Sequence, residues 1–166
     1  MLRLVKLNLY NFRLYKKMLD EVRDQKIFNE LSNLLIYENL SPSEIIKKLE
    51  KEEKTGTNNL EPGSNYYLFD TKTNAYIGLI RISYFHKIIK ENYFDVVYKI
   101  FEKYDSKKLE KWLIDTINNL YYKRNKSYPI FKIYLEEKLS LDIFSFKEFN
   151  LILKEESFSL FKKVSD

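Results

Sequence analysis

Few residues of this 166-residue chain have side chains suited to chemistry, and they narrow the choice quickly. His86 is the sole histidine and the sole side chain whose ordinary pKa lies near neutrality. There is no cysteine, which rules out disulfides, thiolate nucleophiles and thiolate metal sites. A single histidine also argues against an all-histidine metal site or a serine–histidine triad, so no metal is expected. Carboxylates, tyrosine hydroxyls and lysines remain. One stretch, Lys103-Tyr104-Asp105-Ser106-Lys107-Lys108, combines cations with two good N-cap types ahead of a helical pattern. Backbone N–H groups exposed at a helix N-terminus hold phosphate, and this turn has the make-up for that.

The elements flanking the turn are clear. Tyr93 to Ile100 is rich in β-branched and aromatic residues and reads as a strand, with Phe94, Val96, Tyr98 and Ile100 on one face. The spacing of Leu109, Trp112, Leu113, Thr116, Ile117, Leu120 and Tyr121 predicts a helix from Ser106 to Lys123 with those residues inward and Trp112 in the core. Upstream, Leu2 to Leu7 alternates as a strand, and Phe12, Tyr15, Met18, Leu19 and Val22 mark a helix. A second helical segment carries Ile27, Phe28, Leu31, Leu34 and Leu35. Ser41-Pro42-Ser43-Glu44 is a capping box with proline at the first helical position. The charged run Lys47 to Lys54 reads as that helix's solvated face. Tyr66–Asp70 and Ala75–Ile82, joined by a short polar connection, predict a β-hairpin. Ile130–Leu135 predicts a strand, Leu141–Leu153 a helix and Ser157–Val164 a closing strand. The order is that of an α+β (α/β-like) domain around a mixed sheet.

The length favours one domain over residues 1–166. The net charge of +5 would suit nucleic acid, and tyrosines at 66, 67, 84, 93 and 98 could stack bases beside lysines. Acidic residues interleave with the lysines almost throughout, so nucleic acid is not an expected partner and the tyrosines read as sheet packing. No 18-residue apolar run and no signal-peptide pattern occurs. A cytoplasmic protein without membrane contact is expected; self-association stays open.

The hairpin residues carry a resemblance. Tyr66-Tyr67-Leu68-Phe69-Asp70 followed by Ile77-Gly78-Leu79-Ile80-Arg81 resembles the central hairpin of the GNAT superfamily of acyl-CoA-dependent N-acyltransferases. Val97-Tyr98-Lys99-Ile100 is similar to that family's fourth strand, and Asp142 to Lys147 to the start of its last helix. The resemblance implies a mixed, mostly antiparallel central sheet flanked by helices. It also implies transfer of an acetyl or acyl group from CoA to a primary amine, carried on a small molecule or on a protein N-terminus or lysine.

The same resemblance assigns residues. The family's pyrophosphate loop has the form Gln/Arg-x-x-Gly-x-Gly/Ala. Asp105-Ser106-Lys107-Lys108-Leu109-Glu110 stands there as a degenerate version, with a carboxylate first and side chains at both small positions. Acetyl-CoA would then be held by the backbone of Tyr98, Lys99 and Ile100 and by Lys103, Tyr104, Ser106, Lys107 and Lys108. Glu91, Asp95 or His86 would be the general base. The family's tyrosine acid aligns near Phe149, leaving Tyr134 as a substitute acid. A second reading stands beside this one: a GNAT-like module without catalysis, in which Asp105 and Ser106 merely cap a structural helix.

Overall fold

The computed structural model describes residues 1–56, 61–83 and 94–164. Its strands and α-helices follow in the order β1 (Leu2–Val5), α1 (Phe12–Val22), α2 (Asn29–Ser32), α3 (Pro42–Thr55), β2 (Gly63–Asp70), β3 (Ala75–Ser83), β4 (Asp95–Ile100), α4 (Lys107–Asn125), β5 (Ile130–Tyr134), α5 (Lys138–Phe144), β6 (Phe149–Lys154) and β7 (Phe158–Lys163). Single 3-10 turns occupy Asn33–Leu35 and Glu102–Tyr104. The strands form one sheet in the order β1-β2-β3-β4-β5-β7-β6. β4 and β5 are parallel, while β1–β2, β2–β3, β5–β7 and β6–β7 are antiparallel, so the sheet is mixed and mostly antiparallel. Two compact units share it, Met1–Ser83 with Tyr98–Tyr104, and Tyr84–Val97 with Asp105–Asp166.

In the first unit the β2–β3 hairpin turns as expected. Asp70 accepts the Lys72 N–H at 3.0 Å and the Thr73 hydroxyl at 3.1 Å, and Asn74 takes the left-handed conformation at φ 51°. The Lys72 hydrogen bond holds the Asp70 carboxyl below its usual pKa. The predicted capping box is present: Glu44 N–H reaches Ser41 Oγ, and the Ser41 N–H reaches Glu44 Oε2 at 2.7 Å. The run Lys47–Lys54 is not wholly solvated, contrary to expectation. Glu52 is buried and accepts from Asn33 Nδ2 at 2.8 Å, and Glu53 accepts from Ser64 Oγ and pairs with Lys6.

Tyrosines fill the core between this hairpin and α1. The Tyr67 hydroxyl donates to the Leu34 carbonyl at 2.7 Å, and the Tyr15 hydroxyl donates to that of Ile36. Tyr76 packs 5.2 Å from the Tyr67 ring, yet its buried hydroxyl has no hydrogen-bond partner among the described residues. Burial pushes the Tyr15 and Tyr67 pKa values well up and that of Tyr76 to about 12.

The second unit departs from the sequence pattern in two places. The buried face of α4 is Glu110, Leu113, Ile114, Ile117 and Asn118, rotated from the predicted stripe. Trp112 is half-buried rather than core, and Leu120 is 46% exposed. The predicted helix Leu141–Leu153 is instead the short helix α5 and the strand β6, so Asp142–Lys147 ends the last helix rather than starting it. Pairing with β7 overrides the local helical pattern. Phe149 opens that strand and packs 4.6 Å from the Phe144 ring, which in turn meets Phe131 and Phe161. Ile152 is an extra, unmatched residue between the Leu151–Phe161 and Leu153–Leu160 pairs, a β-bulge in the edge strand.

The tyrosine pair yields a test. Tyr76→Phe is expected to be neutral or stabilising in urea unfolding, because it removes an unsatisfied buried hydroxyl. Tyr67→Phe leaves the Leu34 carbonyl without its donor and should cost about 1–3 kcal/mol. Tyr76 is a raised-pKa group, so its stabilisation is complete below pH ~10, the ordinary tyrosine value, and is lost as pH climbs toward 12. The wild type should therefore weaken across that window, and Tyr76→Phe should weaken less.

Candidate functional site

Backbone geometry sets where β4 ends. On β3, Ile77 is an extra residue between the Leu68–Gly78 and Phe69–Tyr76 pairs, and its carbonyl accepts the Phe101 N–H at 3.0 Å. Beside it the chains approach so closely that a Cβ on Gly78 would lie 2.7 Å from the Lys99 carbonyl oxygen. A glycine inside a strand is the residue such an approach requires. Arg81, three residues further along β3, is 1% exposed, with its guanidinium on Asn65 Oδ1 at 2.7 Å and on the Glu61 carbonyl.

The candidate cofactor residues fall on both sides of this junction. On β4, the side chains of Tyr98 and Ile100 are buried, while Lys99 lies 6.0 Å over the Phe28 ring. In the 3-10 turn, the Glu102 N–H donates to Gln25 Oε1, Tyr104 reaches Glu21 with its hydroxyl, and Lys103 lies over the Tyr104 ring. In the second unit Ser106 is the N-cap of α4: its hydroxyl accepts the Leu109 N–H at 3.2 Å and its carbonyl the Glu110 N–H at 3.0 Å. Asp105 is exposed and makes no cap, so the choice between the two cap types falls on Ser106.

The N–H groups of Lys107 and Lys108, the first two of the helix, have no hydrogen-bond partner among the described residues. The Lys108 side chain is exposed, and that of Lys107 lies 5.0 Å over the Phe146 ring. Glu110, which on the sequence would crowd this turn, points the other way. It is 2% exposed, and the Ser140 hydroxyl of α5 donates to its carboxylate. The first turn thus combines open amides, a positive helix end and two lysines, a set whose charge and geometry suit an anion.

The candidate proton-transfer groups are less concentrated. Asp95 opens β4 in register with Ile130, so it sits inside the sheet rather than at an edge. Tyr134 is four residues further along β5, roughly 13 Å away by strand rise. It packs edge-on to Phe158 with Lys132 over both rings. The structure does not bring these two together. His86 and Glu91 lie outside the described residues. Among the described residues no group of acidic and histidine side chains is placed to hold a metal, and no helix is long and apolar enough to cross a membrane. The buried polar residues Glu110 and Asn118 were missed, although both fall at helical spacing from Leu113, Ile114 and Ile117. A polar residue on an inward stripe was the available signal.

No protein-family model matches the sequence, and no curated protein matches it. Solved structures do. An acetyltransferase of the GNAT family from Streptococcus pneumoniae aligns over 99% of this chain and 100% of its own, with a TM-score of 0.62 at 12% identity. The Campylobacter jejuni N-acetyltransferase PseH, solved in complex with acetyl coenzyme A, gives a TM-score of 0.58 at 11% identity over 99% and 100%. A dodecameric spermidine N-acetyltransferase from Vibrio cholerae gives 0.59 at 11% identity over 99% and 92%. The chain has the GNAT acetyltransferase fold.

Two substitutions separate the backbone constraint from the cap. Gly78→Ala forces the Lys99 carbonyl to shift and should lower stability by about 1–3 kcal/mol in chemical denaturation. Ser106→Ala removes only the hydroxyl acceptor at the head of α4 and should cost about 1 kcal/mol.

Proposed function

We propose that residues 1–166 form one N-acyltransferase domain that moves an acetyl or short acyl group from CoA to a primary amine. The observation that carries the reading is the first turn of α4, where the Lys107 and Lys108 amides are open and the Glu110 side chain is turned away. The likeness in fold to acetyltransferases, one of them solved with acetyl coenzyme A, supports the same ligand.

In this proposal the pyrophosphate rests on the Lys107 and Lys108 amides, and the charges of Lys103, Lys107 and Lys108 replace the missing loop glycines and amide side chain. Ser106 organises that turn through its cap. Tyr98, Lys99 and Ile100 offer backbone to the pantetheine arm, since the Tyr98 and Ile100 side chains are committed to the core. The bound thioester supplies the electrophilic carbonyl. The chain's own part is to orient the amine and accept its proton, at Asp95, Glu91 or His86, and to return a proton to the thiolate from Tyr134 or solvent. The acceptor is an amine on a small molecule or on a protein N-terminus or lysine; spermidine is the acceptor in the name of one protein of the same fold. The distance between Asp95 and Tyr134, and the packing of Tyr134, favour direct attack without a protein acid. They also keep a second reading in view, a non-catalytic module of the same fold.

Acetyl-CoA titrated against the chain decides between them. Binding should raise the melting temperature, since ligand at about 100 times its Kd adds roughly 2.7 kcal/mol. Lys107→Ala with Lys108→Ala should weaken acetyl-CoA about tenfold or more while leaving acetyl-pantetheine, which lacks the pyrophosphate, unchanged. No binding at millimolar acetyl-CoA leaves the module; equal loss for both ligands moves the phosphate elsewhere.

A further inference from the structure

Within the second unit, one side of α4 and the exit of α5 line a cavity of about 530 Å³, within the range that small-molecule sites occupy. Ile114 and Ile143 line it as buried residues, with Phe149 half-buried and Phe146, 53% exposed, as its outer wall. None of these four side chains can donate or accept a hydrogen bond, so this part of the lining offers a ligand only apolar contact. It fits hydrocarbon.

The charges stand at the rim. Lys107, Lys111 and Lys147 face two carboxylates there, Asp115 and Glu148, an excess of one positive charge. No ammonium group of the three is in an ion pair or hydrogen bond among the described residues, although acids share the rim. Open cations over an apolar pocket are complementary to a molecule that is apolar along its length and anionic at one end. We propose that this cavity binds a medium-chain aliphatic anion, with the chain against Ile114, Ile143 and Phe149 and the head group between Lys111 and Lys147. Lys107 is shared with the turn assigned to pyrophosphate, but Lys111 and Lys147 are not. The site therefore stands whether or not acetyl-CoA binds.

Calorimetric titration of the whole chain with hexanoate, octanoate and decanoate tests it. The expected result is one saturable site whose affinity rises about fourfold per added methylene, the increment for burying a CH₂ group. Decyltrimethylammonium, of equal length and opposite charge, should bind far more weakly. Lys111→Glu with Lys147→Glu should weaken decanoate about tenfold or more with the melting temperature unchanged. Lys147→Gln alone gives a smaller loss in the same direction and serves if the double variant is unstable. Comparing decyl phosphate with decanoate tells a phosphate head group from a carboxylate. Affinity independent of chain length, equal binding of the cationic amphiphile, unchanged binding by the charge variants or no saturable site would each overturn the proposal.

Discussion

The contact on which the rest depends is backbone against backbone, at Gly78. There the β3 chain lies so near the Lys99 carbonyl that only hydrogen fits, and the neighbouring bulge at Ile77 turns a carbonyl onto the Phe101 N–H. Those two contacts set where β4 stops. From there the 3-10 turn and the Ser106 cap follow along the chain, and α4 starts where the cap places it. Because the constraint needs one glycine and a pattern of amides, most other positions around it can change without moving it.

The same reasoning explains what could be read from the sequence. The hairpin, the capping box and the first helix were legible because each is specified locally, by Asp70 and Asn74, by Ser41 and Glu44, and by a clean 3.6-residue stripe. The stretch between Phe144 and Lys154 was not. Phe149 to Lys154 is a strand only because β7 pairs with it and Phe144 packs on its first ring, and both partners are set by tertiary structure. The face of α4 was misjudged for a related reason. Glu110 and Asn118 take inward positions that an apolar count assigns to Trp112 and Leu120, and Glu110 is kept there by Ser140, a residue 30 positions away.

Of the candidate site, the part that rests on main-chain groups was the more legible. An N-cap type ahead of an amphipathic run announces exposed amides whatever the side chains are. Proton transfer rests on side chains meeting in space. Here the resemblance offered Asp95 as one candidate base and Tyr134 as a substitute acid, while strand register holds them apart and aromatic packing engages the tyrosine. A spacing along the chain cannot carry that information. The binding of an anion and the chemistry done on it are therefore separate questions for this fold.

The bulge at Ile152 bears on whether this edge of the sheet can pair with another extended chain. β6 is the last strand of the sheet, and Leu151 and Ile152 leave it with an apolar rim that has only Lys154 to guard it within the strand. An unbroken edge of that kind would serve as a template for another extended chain. The unmatched residue interrupts the regular alternation of N–H and C=O halfway along, so an incoming strand would find its partners for about two residues and then lose step. Deleting one residue from this rim would repair the ladder and, with it, the hazard.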